Sequence, residues 1–186
     1  MAIAISLLCS AATLQVLNLD TMTAESSAVV HGRIVASRTD WSDSRHRMVL
    51  TSYTVQADRY VKGNLGAAFE IVEPGGQIGT QMTVVPGAPE FKVGEELVLF
   101  IWTDPTRGRH EAMGFDQGAF RVQRDPASGR KTLNHSQPMT GGGQVVESAH
   151  LAEAMRGPLS SRDLDQFLAQ VGDSVRRVSA RQAGVR

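Results

Sequence analysis

Between Phe91 and Trp102 the chain reads FKVGEELVLFIW, and from Leu97 onward both alternating sets are apolar. Leu97, Leu99 and Ile101 fall on one side, Val98, Phe100 and Trp102 on the other. A strand that is apolar on both faces has protein on both sides of it. This segment therefore predicts the central strand of a closed or nearly closed sheet. Met48 to Tyr60 alternates differently: Val49, Thr51, Tyr53, Val55 and Ala57 make an apolar face against Leu50, Ser52, Thr54, Gln56 and Asp58. That is the pattern of an antiparallel strand wetted on one side. Ala28 to Ser37 is β-branched and reads as a first strand, bulged or bent at Gly32. Phe69 to Glu73 gives a short third strand stopped by Pro74-Gly75-Gly76, and Gln77 to Pro89 a glycine- and proline-rich excursion with an extended piece at Met82 to Val85. After the central strand, Glu111 to Phe115 and Ala119 to Arg124 resume the sheet. Lys131 to Asn134 pairs back across a turn at Asp125 to Gly129.

The helical period occurs twice. Asp20 or Thr21 caps a short helix carrying Met22 and Ala24. Leu159 to Val178 predicts a longer one, with Ser160 as N-cap, Asp163 at N3, and Leu159 and Leu164 as a hydrophobic staple. Its stripe of Leu164, Phe167, Leu168, Val171 and Val175 needs a cover, either the chain's own sheet or a partner protein. The predicted fold class is mainly β: a small antiparallel Greek-key, OB-like barrel over 13–134 with a C-terminal α-helix at 159–178. A Gly/Pro/Ser linker at 135–158 joins them and a basic tail, 179–186, follows. A two-sheet β-sandwich is the alternative.

Composition narrows the function. With 186 residues, 41% of them hydrophobic, the chain supports one core and tails. Nineteen basic residues balance nineteen acidic ones, so no global field draws in nucleic acid or an anionic membrane. The single cysteine, Cys9, lies in an apolar stretch, Met1 to Ala12, leaving the folded part without a disulfide, a thiolate zinc ligand or a cysteine nucleophile. That stretch is too short to span a bilayer and has the length of a signal-peptide core ending in small residues, Ser10-Ala11-Ala12. It predicts a secreted or periplasmic protein. The missing basic n-region allows a start codon placed too late, or a segment that instead packs on the domain.

The succession VVHGRIVAS, Trp41, YTVQADRYVKG, VEPGG, VPGAPEFKVGEELVLFIW and GAFRV, spanning Ala28 to Val122, resembles a group of uncharacterised exported bacterial proteins expected to form OB-like barrels. Its most specific pieces are Pro74-Gly75-Gly76 and Gly87-Ala88-Pro89-x-Phe91-x-x-Gly94-Glu95. The resemblance implies an association with secreted metallopeptidases and a barrel similar to the netrin-like fold of tissue metalloproteinase inhibitors. Those inhibitors place an N-terminal cysteine on the catalytic zinc; no matching cysteine begins the mature part here, and the family supplies no catalytic residue.

Candidate binding chemistry concentrates at Arg45-His46-Arg47 beside Trp41, a cation cluster next to an aromatic at a hairpin tip, with Gln77 on the neighbouring excursion. Trp41 folding back to cap the barrel is the structural alternative. His31, His46, His110, His135 and His150 show no i, i+4 or HxH spacing, so a metal site would need distant loops and Asp40, Asp43, Asp104 or Asp116 to converge. No Gly-x-Ser-x-Gly elbow exposes a nucleophile. Glu73 to Gly79 is glycine-rich but lacks the Gly-Lys-Ser/Thr ending of a phosphate loop, and reads as a tight bend. Tyr53, Tyr60 and Phe69 could stack bases on an OB face, but with balanced charge they read as core. The sequence thus favours a non-catalytic exported β-barrel that binds another protein, with no cofactor and no metal assigned. A secreted metallopeptidase inhibitor is one alternative; a hydrolase whose site converges on His31, His110 and Asp116 is the other.

Overall fold

The computed structural model describes residues 17–135 and 163–184. The signal-like stretch, Cys9, His150, Ser160 and the body of the expected linker lie outside the described residues. The central strand is β6 (Glu96–Thr103). Leu97, Leu99 and Ile101 enter one buried cluster, and Val98 and Phe100 enter another on the opposite face. Trp102 departs from that expectation: it belongs to neither buried cluster and stays 39% exposed.

On one side β6 pairs with β1 (Ala28–Trp41), which pairs with β2 (Val49–Lys62), and β2 in turn with β3 (Ala68–Pro74), all antiparallel. A small hairpin of β4 (Gly76–Ile78) and β5 (Gln81–Thr83) occupies the excursion. On its other side β6 meets an interrupted partner: β7 (His110–Ala112) against Ile101 to Thr103, then a 3₁₀ turn at Phe115–Gly118, then β8 (Ala119–Arg124) against Leu97 to Leu99. The strand β9 (Lys131–His135) pairs with β8 and closes the meander. The register slips between His31 and Gly32, the bulge the sequence predicts, because a Cβ on Gly32 would come within 2.4 Å of the Gln56 carbonyl.

The molecule is therefore mainly β with a C-terminal helix, but the expected barrel does not close. The ladder runs β3-β2-β1-β6-β8-β9 with β7 on β6, and among the described residues none joins β3 to β7. The physical reason is that β7 has only three residues and its Ala112 N–H is taken by a side chain, Glu73 Oε1 at 2.6 Å, where a closed barrel would supply a carbonyl.

Two helices cover the outer face. The first, α1 (Leu19–Glu25), is capped by Asn18, whose Oδ1 accepts the Thr21 N–H, rather than by the Asp20 or Thr21 expected. Asn at this position satisfies the same orphan donor. At its other end the Lys62 ammonium donates to the carbonyls of Thr23, Ala24 and Ser26, the role of a cation at a helix C-terminus. The second, α2 (Leu164–Ala183), starts later and runs further than the sequence indicates, with Asp163 accepting from the N–H groups of Asp165 and Gln166. Its stripe docks on the chain's own sheet: Leu164, Phe167, Leu168 and Val171 bury against Val29, Val98, Phe100, Phe120 and Leu133. Phe120 sits 4.8 Å from Phe167 and 5.8 Å from Phe100, centroid to centroid. Ser174 and Arg177 both donate to Asp20 Oδ1, at 2.5 and 2.8 Å, and tie the helices together.

Candidate binding surface

The strand β1 ends at Trp41 and β2 begins at Val49, so the cationic cluster lies on a short turn. Asp43 organises it. One carboxylate oxygen accepts the Arg45 N–H at 2.9 Å, and the other binds the Arg47 guanidinium, with Arg47 Nε at 2.7 Å. The hydrogen bond from Arg47 holds the Asp43 carboxyl below its ordinary range, against a smaller opposing effect of desolvation. The His46 backbone turns left-handed (φ 52°), and its ring stacks on Trp41 at 4.8 Å between centroids and 27° between planes. The turn is thus braced by its own side chains, and among the described residues the Arg45 side chain has no partner. Gln77 lies alongside: its carbonyl accepts the Thr39 hydroxyl at 3.1 Å, while its side-chain amide donates to the Gly79 carbonyl. Trp41 and Gln77 are in this way both anchored to the end of β1, Gln77 through Thr39.

Trp41 also walls an open groove of about 530 Å³ that sequence reading missed. Arg38, Asp40, Phe69, Glu70, Gly108, Arg109 and His110 line it with Leu50, Ser52 and Val72. Arg38 Nη2 donates to both Glu70 oxygens, at 2.9 and 3.2 Å. The cross-strand alternation carried a signal for this pair. Arg38 and Glu70 occupy solvent-facing positions on β1 and β3, and both strands flank β2.

The histidines are separated. His31, on β1 opposite Val98, gives its Nε2 to Glu96 Oε1 at 2.7 Å; Glu96 Oε1 also takes Lys131 at 2.6 Å, and Glu96 Oε2 faces Arg33 at 3.4 Å. Burial pushes the Glu96 carboxyl up, but the bonds from Lys131 and His31 outweigh it and the net shift is downward. His110, opposite Thr103, bonds that hydroxyl through Nδ1 at 2.9 Å and meets the Phe69 ring edge-on at 6.2 Å. The two histidines are thus five residues apart along β6, about 17 Å at strand spacing, and on opposite faces of the sheet. Asp116, on the 3₁₀ turn, faces Arg121 at 3.5 Å. His31, His110 and Asp116 do not converge. Among the described residues no three His, Cys, Asp or Glu side chains group as metal ligands. Tyr53 and Phe69 are buried and Tyr60 packs against the same cluster, so the possible stacking face is core. The Glu73 to Gly79 stretch is the bend expected of it. Gly76 has φ 127°, and a Cβ there would press on the Thr51 hydroxyl at 2.4 Å.

Glu73 is the second feature the sequence did not announce. It is only 3% exposed and borders a further cavity of about 380 Å³, which shares Leu50, Val72 and Arg109 with the first groove. Burial pushes its carboxyl up to about 8; the Ala112 N–H opposes that shift, and Glu111 and Asp116 reinforce it. No protein-family model matches this chain, and no curated protein matches it. Among the described residues no helix is long and apolar enough to cross a membrane.

Proposed function

We propose that the chain is a non-catalytic exported module that binds another protein through the Trp41–Arg47 turn and the groove beneath it. One observation carries the reading: Trp41 is held against His46 at the rim of an open groove with paired charges along its wall. A fixed aromatic beside guanidinium groups is the composition of an interface anchor. Preorganisation matters too, because a turn already braced by Asp43 loses little freedom on binding.

The test is capture by the full chain, by its Trp41→Ala and Arg45→Ala variants, and by Arg124→Ala, an exposed position on β8, as control. A protein retained by the wild type and the control, lost with Trp41→Ala, and binding stoichiometrically once purified supports the reading. Equal retention by Trp41→Ala overturns it. If the retained protein is a secreted zinc peptidase whose activity falls in step with bound chain, the module is an inhibitor. Export predicts an extracytoplasmic chain beginning near Thr13, measured by N-terminal mass spectrometry; an unprocessed cytoplasmic chain would contradict it.

A further inference from the structure

The cavity beside Glu73 combines features that belong to a ligand site rather than to a packing fault. Its inner wall holds a carboxyl that is almost wholly buried yet only half satisfied. Glu73 Oε1 accepts the Ala112 N–H, while among the described residues no hydrogen bond reaches Oε2. Its rim holds two large aromatics left partly in solvent, Trp102 at 39% and Phe115 at 37% exposed. Phe115 keeps a left-handed backbone, φ 60°, which costs a bulky residue roughly 1–3 kcal/mol. Two more carboxylates, Glu25 from α1 and Glu111 from β7, line the same space, against one cation, Arg109. Asp116, on the 3₁₀ turn, adds negative potential at Glu73. The wall contributed by Met48 and by Leu50 of β2 is apolar.

We infer that this cavity is a binding site for an alkylammonium group, a primary amine on an aliphatic stem. The ammonium would meet Glu73 Oε2 at the floor, and the stem would lie between the aromatic rims. An ammonium satisfies each feature at once: it donates to the open carboxylate oxygen, it lowers the repulsion among the carboxylates, and it is attracted to aromatic faces. Such a group comes either from a lysine side chain of a partner protein or from a small free amine. The proposal does not depend on the Trp41 surface, which lies in the other groove.

A signature separates this site from general acidity. Near pH 7 the Glu73 carboxyl holds a proton in the empty protein. An arriving ammonium favours the carboxylate, so the O–H bond breaks, the electron pair stays on Glu73 and the proton passes to buffer. Binding should therefore release close to one proton per ligand. The experiment is calorimetric titration of the full chain with n-butylammonium at pH 7 in two buffers of different ionisation enthalpy. It is repeated with n-butanol as the neutral isostere, and with Nα-acetyl-lysine amide as the peptide-borne amine. The expected result is saturable amine binding with proton release, no binding of butanol, and an affinity loss of at least about tenfold with no proton release in Glu73→Gln. Trp102→Ala and Phe115→Ala should each weaken binding severalfold. Tighter binding of the lysine amide assigns the site to a partner's side chain, and tighter binding of butylammonium to a free amine. Glu73→Gln keeps an acceptor for the Ala112 N–H, and its melting curve confirms the fold. No binding of either amine, binding without proton release, or unchanged binding in Glu73→Gln would overturn the proposal.

Discussion

Along the β1–β6 seam the chain pairs six positions, from Ala28 opposite Ile101 to Arg33 opposite Glu96, and the side chains on either face are mostly apolar and fully buried. Across the β3–β7 gap the described residues make one side-chain hydrogen bond, from the Ala112 N–H to Glu73, an edge-on contact between Phe69 and His110, and a cavity. Apart from Glu96 at its end, which His31, Arg33 and Lys131 hold, the first seam distributes its stability over backbone groups that do not titrate and over apolar area that does not depend on pH. The second depends on a carboxyl that must be desolvated to make its bond. The difference teaches where this fold can respond to its surroundings: at the gap, not at the core.

The strongest way to break the ladder side is at Phe100, fully buried in one cluster with Val98 and the α2 stripe and packed on Phe120. Phe100→Ala should cost about 3–5 kcal/mol, through lost transfer free energy and the cavity left behind. Urea unfolding followed by circular dichroism measures it. A loss under about 1 kcal/mol would mean that α2 does not rest on this face.

The gap is next in size, and its effect depends on pH. A carboxyl whose folded pKa stands near 8, against an ordinary 4.5, leaves both states protonated below 4.5, where it imposes no penalty. Between those values the folded protein keeps a proton that the unfolded chain has lost. Stability then falls as pH rises, by about 1.4 kcal/mol per unit. Above 8 the slope ends, with a total loss on the order of 3–5 kcal/mol. Glu73→Gln removes the titration while keeping an acceptor for Ala112. It should match the wild type near pH 4 and exceed it by a few kcal/mol at pH 9. Glu73→Ala removes the acceptor as well and strands a buried N–H, at a cost of about 1–3 kcal/mol. Denaturant midpoints for the three proteins from pH 4 to 9 test this; parallel curves would place the carboxyl in water.

The ladder side was legible because its residues obey one rule along the whole strand. In β2 the apolar positions recur with period two, in β6 both alternating sets are apolar, and burial follows each pattern nearly residue by residue. Gly32 was legible for the same reason, as a break in a β-branched run where two backbones meet. The gap was written in the same alphabet but hidden by an adjacent signal. On β3 the inward set is Phe69, Ile71 and Glu73, so alternation alone puts a carboxylate in the core; Pro74-Gly75-Gly76 drew attention to the turn instead. The closure of a barrel is another matter. It depends on whether two strands distant in sequence meet in register, and nothing local in a three-residue strand such as β7 states that. Helix ends misled in a smaller way, since Asn18 and Asp163 offer side-chain acceptors as good as those of their neighbours Asp20 and Ser160.

Helix cover can be loosened without touching the core by Asp163→Ala. This removes the acceptor for two N–H groups and should cost about 1 kcal/mol. The loss should be the same at pH 5 and pH 8 because Asp163 is remote from the gap. If it grew with pH, the helix and the Glu73 seam would be coupled, and the contrast between the two seams would fail.

The smallest effect on stability is expected at the turn, and there the comparison extends from stability to binding. Trp41 is only partly buried, stacks on a histidine whose own position is exposed, and belongs to neither hydrophobic cluster. Trp41→Ala should change the denaturant midpoint by no more than about 1 kcal/mol, at any pH between 5 and 9. Its contribution would instead fall on the complex, where truncating an aromatic anchor typically costs about 2 kcal/mol or more. Measuring unfolding and partner affinity on the same preparation separates the possibilities. Unchanged stability with lost affinity marks the turn as a contact surface. Lost stability with unchanged affinity would make Trp41 a cap on the open end of the sheet, which is the other role its sequence context allowed.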